Sequence, residues 1–372
     1  MISTFSFPTS ILYGPGARHE LSKKLQTFQL KRPLIVTDPG LLKTPAFQRL
    51  RDALSANFPT FSEVHPNPME NDVEQAFQAY QNNQCDSVIA FGGGSALDVG
   101  KVIRLRIKQP QQKLSQFNYE TDYSSLAPFI AIPTTAGTGS EVGRSSVIIL
   151  DQHKRVFFHP SLLATLVILD PEFTLELPPQ LTAATGADAL THCIESFTSP
   201  VFHPLCDAIA LEGIHLICAQ KALLRAYQNG NDLEARGLMQ LAATMGAIAF
   251  QKDLGATHSL AHPLSSLCGL HHGTANALCL PWVMEWNAQR KPSLYHRVGI
   301  AMGLIEPNDA KTITTIRLLL EQLNLSGKLR DYQVKKSDID TLTQHAYDDS
   351  CHQTNPVPVT QNDLKELYLQ AF

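Results

Sequence analysis

Cysteine pairs at metal-clamp spacing are missing from this sequence. Its seven cysteines, at 85, 193, 206, 218, 268, 279 and 351, are odd in number and include no CxxC. A disulfide framework is therefore not expected, and reduced thiols point to the cytoplasm. Charge is sparse as well: 17% of residues are Asp, Glu, Lys or Arg, 30 basic against 34 acidic, for a net charge of −4. With no run of five like charges, the chain offers no nucleic-acid or anionic-lipid patch, so no nucleic-acid partner is expected. No stretch reaches the roughly 18–20 apolar residues needed to cross a bilayer, so no membrane partner is expected either. Residues 1–14 lack a basic leader region and are broken by Pro8, which argues against a secretory signal.

What is present suits a folded two-domain protein. The chain has 372 residues, 44% of them hydrophobic, more than one typical domain of about 150 residues holds. In the first half, short apolar runs at Leu34–Thr37, Ser87–Phe91, Phe129–Ile132 and Leu166–Leu169 read as strands. Glu70–Asn82 sets Val73, Phe77 and Tyr80 at helical spacing between the first two. That alternation predicts βα units around a parallel sheet. After Asp170-Pro171 the texture becomes helical, in Thr182–Thr198, Cys206–Tyr227 and Asp232–Phe250. Leu177-Pro178-Pro179 interrupts both kinds of hydrogen bonding. We therefore expect an α/β domain over 1–175 and an all-α domain over 176–372, with peripheral helices after Ser326.

Two segments suit a dinucleotide. Ser87–Phe91 runs into Gly92-Gly93-Gly94-Ser95, where small residues let backbone N–H groups approach a diphosphate at a helix start. Pro133-Thr134-Thr135-Ala136-Gly137-Thr138-Gly139-Ser140-Glu141 also follows a strand and is rich in hydroxyl donors. Either could be a plain turn alone; together they sharpen the reading. Asp38 closes the first strand, where a carboxylate accepts from an adenosine ribose and repels a 2′-phosphate, favouring NAD over NADP. Gly14-Pro15-Gly16 lies 22 residues before Asp38, but His19 replaces a third glycine, and we read it as a turn.

The second half carries candidate metal ligands. Asp188 and His192 are four apart in a helical stretch and share a face. His258, His262, His271 and His272 crowd into fifteen residues, four of the chain's fourteen histidines. Pro263 disturbs a regular helix there. A single histidine is as well explained by hydrogen bonding in a core; the cluster is what points to a cation. An Asp with several imidazoles suits Fe(II) or Zn(II), with more donors on offer than one site needs.

GGGSALDVGK at 92–101, PTTAGTGSEV at 133–142, GADALTHCIE at 186–195 and HSLAHPL with HHGTANALCLP between 258 and 281 together resemble the iron-containing (type III) alcohol dehydrogenase family. The resemblance runs from Leu34 to near Asn287, with a weaker echo at Asn355-Pro356. It implies a dehydroquinate synthase-like fold: an N-terminal dinucleotide-binding α/β domain, an all-helical C-terminal domain and an active site in the cleft between them. It also implies an oxidoreductase that moves hydride between NAD(H) and a small primary alcohol or aldehyde, the metal polarising the substrate oxygen. Carried over by residue, the metal ligands are Asp188, His192, His258 and His272. His262 is the non-ligand histidine beside the nicotinamide and a candidate proton relay, since imidazole exchanges protons near neutral pH. Asp38, Asn67, Gly93, Gly94, Ser95, Thr134, Thr138 and Lys154 fall on cofactor positions. A homo-oligomer, a dimer at least, is implied too. Asp98 and Lys101 fit the motif, but helix packing explains them equally. His271, Trp282, Gly143 and Ser145 depart from the family pattern at positions expected to border the substrate. Ala164 departs only in a turn. The competing reading is a dehydroquinate-synthase-like lyase on a sugar phosphate, which would want Lys and Arg near the metal; the ligand-bearing segments hold almost none.

Overall fold

A computed structural model describes Phe7, residues 9–151 and residues 153–372. The reading of residues 1–14 as leader-free falls partly outside them. The described residues form two compact units: one comprises 7–135 and 139–177, the other 136–138 and 178–372.

The first unit is built on a six-stranded parallel sheet. Its strands are β1 (Ser10–Tyr13), β2 (Pro33–Val36), β3 (Thr60–Phe61), β4 (Ser87–Gly92), β5 (Phe129–Pro133) and, after a hairpin of β6 (Ser145–Leu150) and β7 (His153–Phe158), β8 (Leu166–Leu169), in the order β1-β8-β5-β4-β2-β3. Every residue of β2, β4, β5 and β8 is buried, as expected when helices cover both faces of a parallel sheet. Those helices are α1 (Leu21–Thr27), α2 (Pro45–Ala53), α3 (Glu70–Asn82) and α4 (Gly94–Lys108). On one face Leu21, Leu25, Phe47 and Leu50 pack on Ile35, Ile89, Phe91 and Ile130. Each such side chain contributes about 1.5–3 kcal/mol by leaving water.

The order of strands locates a binding crevice. From β2 the chain goes outward to β3, and from β4 it turns the other way to β5. Ligands of open α/β sheets sit outside the carboxyl ends of strands at such a reversal. The register sets Val36 opposite Ala90, so Asp38 and the glycine turn leave the sheet side by side.

The second unit is helical: α5 (Pro179–Thr198), α6 (Pro204–Ile214), α7 (Ala222–Gln228), α8 (Leu233–Ala249), α9 (Ala256–Cys268), α10 (His272–Arg290), α11 (His296–Ala301), α12 (Asp309–Gln322), α13 (Ile339–Asp348) and α14 (Gln361–Ala371). Cys206–Tyr227, expected as one helix, breaks at a π-helical turn, His215–Ala219, followed by Lys221 at φ 55°. Pro263 does not break α9, which runs through it. The polar tail is not peripheral: Leu329, Leu342, Leu364 and Tyr368 are buried with α9 and α10 residues in one core. Among the described residues, no helix is long and apolar enough to cross a membrane.

Candidate active site

The α/β unit gathers most of the expected cofactor residues at the crevice. Gly93 stands at the N-cap of α4 and Gly94 is its first residue; no side chain caps this end, so its N–H groups remain for an anion. A Cβ on Gly92 would stand 2.8 Å from Ala96 Cβ and 3.6 Å from Asp38 Oδ2. The turn thus needs glycine, and Asp38 lies beside it. Asp38 Oδ1 accepts from Gly40 N at 2.9 Å and Leu41 N at 3.1 Å, which fixes the carboxylate. Ser95 Oγ donates to Pro66 O at 2.7 Å, tying α4 to the loop that carries Asn67. Ile149 N donates to Pro68 O at 2.8 Å and Ile149 pairs with Lys154, so the hairpin bearing Lys154 borders the same loop. Thr134 N donates to Gly92 O at 3.0 Å. Thr138 is the exception: residues 136–138 group with the helices. A Cβ on Gly137 would meet Thr185 Cβ at 2.7 Å. Lys101 and Asp98 are packing residues here. Lys101 Nζ donates to Ser140 Oγ and to Ser145 O, each at 2.8 Å, and Asp98 Oδ2 accepts from Val147 N at 2.9 Å.

The helical unit brings the other group together. Asp188 and His192 share one face of α5, His258 and His262 one face of α9, and His272 opens α10. Asp188 Oδ1 lies 3.7 Å from His192 Nε2, 3.7 Å from His258 Nε2 and 3.4 Å from His272 Nε2. Those spacings are long for hydrogen bonds, whereas a tetrahedral ion with bonds of about 2.0–2.1 Å sets its ligand atoms about 3.3–3.4 Å apart. Asn276 Nδ2 donates to Asp188 Oδ1 at 2.8 Å and stands 3.3 Å from both His258 Nε2 and His272 Nε2. Two amide hydrogens cannot satisfy that many converging lone pairs. Donor atoms of Asp188, His258 and His272 lie within 4.8 Å of one another, a donor set for a divalent cation; His192 falls outside that mutual grouping and approaches the site through its 3.7 Å separation from the Asp188 oxygen.

Electrostatics point the same way. Burial works to raise the Asp188 carboxyl, but His192, His272 and His258 outweigh it and hold it well below the usual carboxylate range. Burial lowers His192 to about 4 and drives His272 well below the ordinary value. Both rings are therefore neutral at pH 7, with lone pairs available. His258 differs: burial opposes its charge, but Asp188 and Glu195 raise it to about 9.

Three supporting residues escaped the sequence reading. Glu195 lies one turn beyond His192 on α5; its carboxylate accepts from His258 Nδ1 at 2.6 Å, Thr257 N at 2.7 Å and Gly255 N at 3.0 Å. Asn276 is four residues after His272. Both were legible as same-face neighbours of ligand candidates. Asp349, in the tail directly after α13, accepts from His262 Nδ1 at 2.7 Å and from Ser259 Oγ at 2.8 Å, and no local pattern announces it. Of the departures from the family pattern, His271 caps α10 and is exposed. Trp282 does not border the cluster: it lies ten residues along α10, a rise of about 15 Å. Its ring sits within 4.4 Å of the Arg317 guanidinium and 4.3 Å of Lys328 Nζ, centroid to cation.

A family profile described as iron-containing alcohol dehydrogenase matches residues 8–171, and one described as the C-terminal part of the Fe-containing alcohol dehydrogenase family matches 182–372. The chain belongs to the iron-containing alcohol dehydrogenase family. It is 38% identical to 4-hydroxybutyrate dehydrogenase of Cupriavidus necator over 96% of each chain. A crystal structure of 1,3-propanediol oxidoreductase superposes with a TM-score of 0.94 at 32% identity, covering 100% of both chains. Sulfoacetaldehyde reductase of Bifidobacterium kashiwanohense, solved in complex with NAD+, superposes with a TM-score of 0.90 at 27% identity over 100% of this chain and 99% of that one. Members of the iron-containing alcohol dehydrogenase family are metal-dependent oxidoreductases that interconvert alcohols and aldehydes, and this chain is an enzyme of that class. Its fold is the family's dehydroquinate synthase-like pairing of an α/β and a helical domain. The oxidoreductase reading stands over the lyase one.

Proposed function

We propose that the enzyme uses NAD(H) and one divalent ion, Fe(II) with Zn(II) as a workable substitute, held by Asp188, His192, His258 and His272. The observation that carries this reading is one carboxylate oxygen standing 3.4–3.7 Å from three imidazole nitrogens. The ion would supply Lewis-acid polarisation of the substrate oxygen, and the nicotinamide would exchange the hydride. Asp188 would contribute the negative charge that stabilises a cation in a buried place, His192 and His272 would contribute neutral nitrogens, and His258 one that gives up its proton to the ion. Asp349 fixes the Nδ1–H of His262, which leaves Nε2 as the atom that takes up or returns the hydroxyl proton. The uncapped start of α4 receives the cofactor diphosphate, with Ser95 and Thr134 alongside, Asn67 and Lys154 on the bordering loop and hairpin, and Asp38 toward the adenosine ribose. Thr138, the remaining cofactor position, belongs to the segment that packs with the helices.

The test is an anaerobic screen of short aldehydes, diols and hydroxy acids with NADH and NAD after loading with Fe(II) or Zn(II). Names of the relatives direct it to primary alcohols carrying a second polar group. Metal-dependent oxidation or formation of NADH on at least one of them is expected; silence across the panel in metal-loaded protein would overturn the reading. The reduced cysteines support the cytoplasm as the location, and a homo-oligomer is proposed, which sedimentation of the purified enzyme decides.

Four further outcomes follow from the assigned roles. Asp38→Gly removes a carboxylate that a 2′-phosphate would meet, so the ratio of kcat/KM for NADPH over NADH should rise about tenfold or more, each tenfold being about 1.4 kcal/mol. An unchanged ratio would show that Asp38 does not discriminate. Glu195→Gln should weaken metal binding about 10–100-fold in chelator competition, because the carboxylate orients His258 and raises its basicity. In the wild type, the proton that His258 holds up to about 9 competes with the ion, so affinity should climb with pH through the neutral range and level off above that value. His262→Phe should flatten the pH profile of kcat while the ion stays bound; loss of the ion would refute the relay.

A further inference from the structure

We propose that His262, Asp349 and Cys351 form a second cation site, for a thiophilic divalent ion such as Zn(II), whose occupancy inhibits the enzyme. One donor atom from each of the three side chains lies within 4.8 Å of the others. They come from two places: His262 from α9, and Asp349 and Cys351 from the start of the Ser350–Thr354 turn after α13. Nitrogen, oxygen and sulfur donors with a free position for water are a donor set that zinc accepts, and softer ligands favour it over magnesium or calcium. No sulfur stands among Asp188, His192, His258 and His272, so the two sites differ in kind.

The surroundings prepare these side chains. Asp349 Oδ1 is occupied by Ser259 Oγ at 2.8 Å and Cys351 N at 2.9 Å, which leaves Oδ2 facing His262 Nδ1 at 2.7 Å. That last separation is a hydrogen bond. For both atoms to share a tetrahedral ion it must open by about 0.6 Å, a small rotation for an imidazole. Access exists, since the side chains of His262 and Asp349 are 38% and 21% exposed. Burial, and after it Asp349, Glu195 and Asp253, push the Cys351 thiol well above its ordinary value. The three carboxylates among these causes also attract a cation. Binding forms bonds from the ion to Cys351 Sγ, His262 Nδ1 and an Asp349 oxygen. The thiol proton leaves to solvent, and the imidazole proton moves from Nδ1 to Nε2 through solvent. An occupied site breaks the Asp349–His262 hydrogen bond. The inhibition, unlike the binding, rests on the proton role proposed for His262.

Cobalt(II) distinguishes the two sites, because only a thiolate ligand gives a near-ultraviolet sulfur-to-cobalt charge-transfer band. Metal-free enzyme is titrated anaerobically with Co(II). The Asp188 cluster should add visible bands without the sulfur band, and the sulfur band should accompany a second equivalent. In Cys351→Ser the sulfur band should vanish while the visible bands of the Asp188 cluster persist. As a check that needs no variant, Zn(II) beyond one equivalent should slow alkylation of Cys351 at least tenfold, read by peptide mass spectrometry. The same Zn(II) should lower kcat on the order of tenfold or more in wild type and leave Cys351→Ser less affected. No sulfur band at saturating Co(II), a band of equal strength in Cys351→Ser, or no protection from alkylation would overturn the second site. A sulfur band without inhibition would leave the site standing and overturn the proton role of His262. Missing bands from the Asp188 cluster would overturn the catalytic-site reading alone.

Discussion

Replacing Asp188 by alanine is expected to abolish stoichiometric metal binding and to lower kcat/KM on the order of 10³-fold or more. Asp188 is the one carboxylate among the four proposed ligands, and its Oδ1 is the atom that all three Nε2 nitrogens approach within 3.7 Å. Without it, a divalent ion would meet only neutral imidazoles in a buried place, where an unneutralised charge is costly. Elemental analysis of protein purified without chelator should give about one ion per chain for the wild type and none for the variant. A variant that keeps its full complement of metal would remove Asp188 from the site. Acid stability of the metal-free proteins gives a second readout. The Asp188 carboxyl is lowered by its imidazole neighbours. The stability it contributes is therefore present above the ordinary carboxylate value of about 3.9 and is lost as pH falls from there toward the lowered native value. Denaturant unfolding below pH 4 should accordingly depend less steeply on pH in Asp188→Ala than in wild type.

Gly273→Ala is expected to cost about 3 kcal/mol or more in stability and to remove the metal as well. Gly273 follows the proposed ligand His272 at the start of α10, where that helix crosses α5. A Cβ added there would stand 1.8 Å from the carbonyl oxygen of Ala184 and 3.2 Å from Asp188 Cβ. The first obstacle is backbone, which cannot rotate away, so the helices must separate. Separation would pull His272 from Asp188, and the loss of packing and the loss of the site should appear together. For a unit of this size, that stability change lowers Tm by about 6–12 °C. Thermal unfolding and elemental analysis on the same preparation check both halves; a variant with wild-type Tm and full metal would contradict the packing described.

Sequence periodicity reached the elements whose burial is decided locally. Glu70–Asn82 shows its apolar stripe at helical spacing. Ser87–Phe91 is a continuous apolar run ended by glycines, so strand, turn and helix start were all legible there. The β6–β7 hairpin was missed although Ser145–Leu150 alternates in burial. Its sequence ends in an unbroken Val-Ile-Ile-Leu run, and its partner strand opens on His153, Lys154 and Arg155, which read as solvated. The break after Ile214 had no local signal either, because Ala, Leu and Ile continue through the π-helical turn and Lys221 alone takes the positive φ.

The candidate ligand cluster was legible because Asp188 and His192, and likewise His258 and His262, are four residues apart on helices, a spacing at which a linear pattern reports a shared face. Asn276, four residues after His272, and Glu195, three after His192, obey the same-face spacings and could have been added. Asp349 could not: it lies 87 residues after His262, and its value to α9 arises from a tail whose polar composition hid how much of it is buried. Thr138 groups with the helical unit for a reason the sequence also hid. Its sequence neighbours lie in the α/β unit, but the small residues Ala136 and Gly137 let that short segment pack with the helices.

Asp188, His192, His258 and His272 are proposed to seat one divalent ion jointly. An anomalous difference map, recorded at the iron edge on crystals of enzyme loaded anaerobically with one equivalent of Fe(II), addresses it directly. A single peak bonded to the Asp188 oxygen and the three histidine Nε2 atoms, at about 2.0–2.2 Å by analogy with imidazole and carboxylate ligation, is the predicted result. A peak bonded elsewhere, or none among these four side chains in iron-replete crystals, would contradict it.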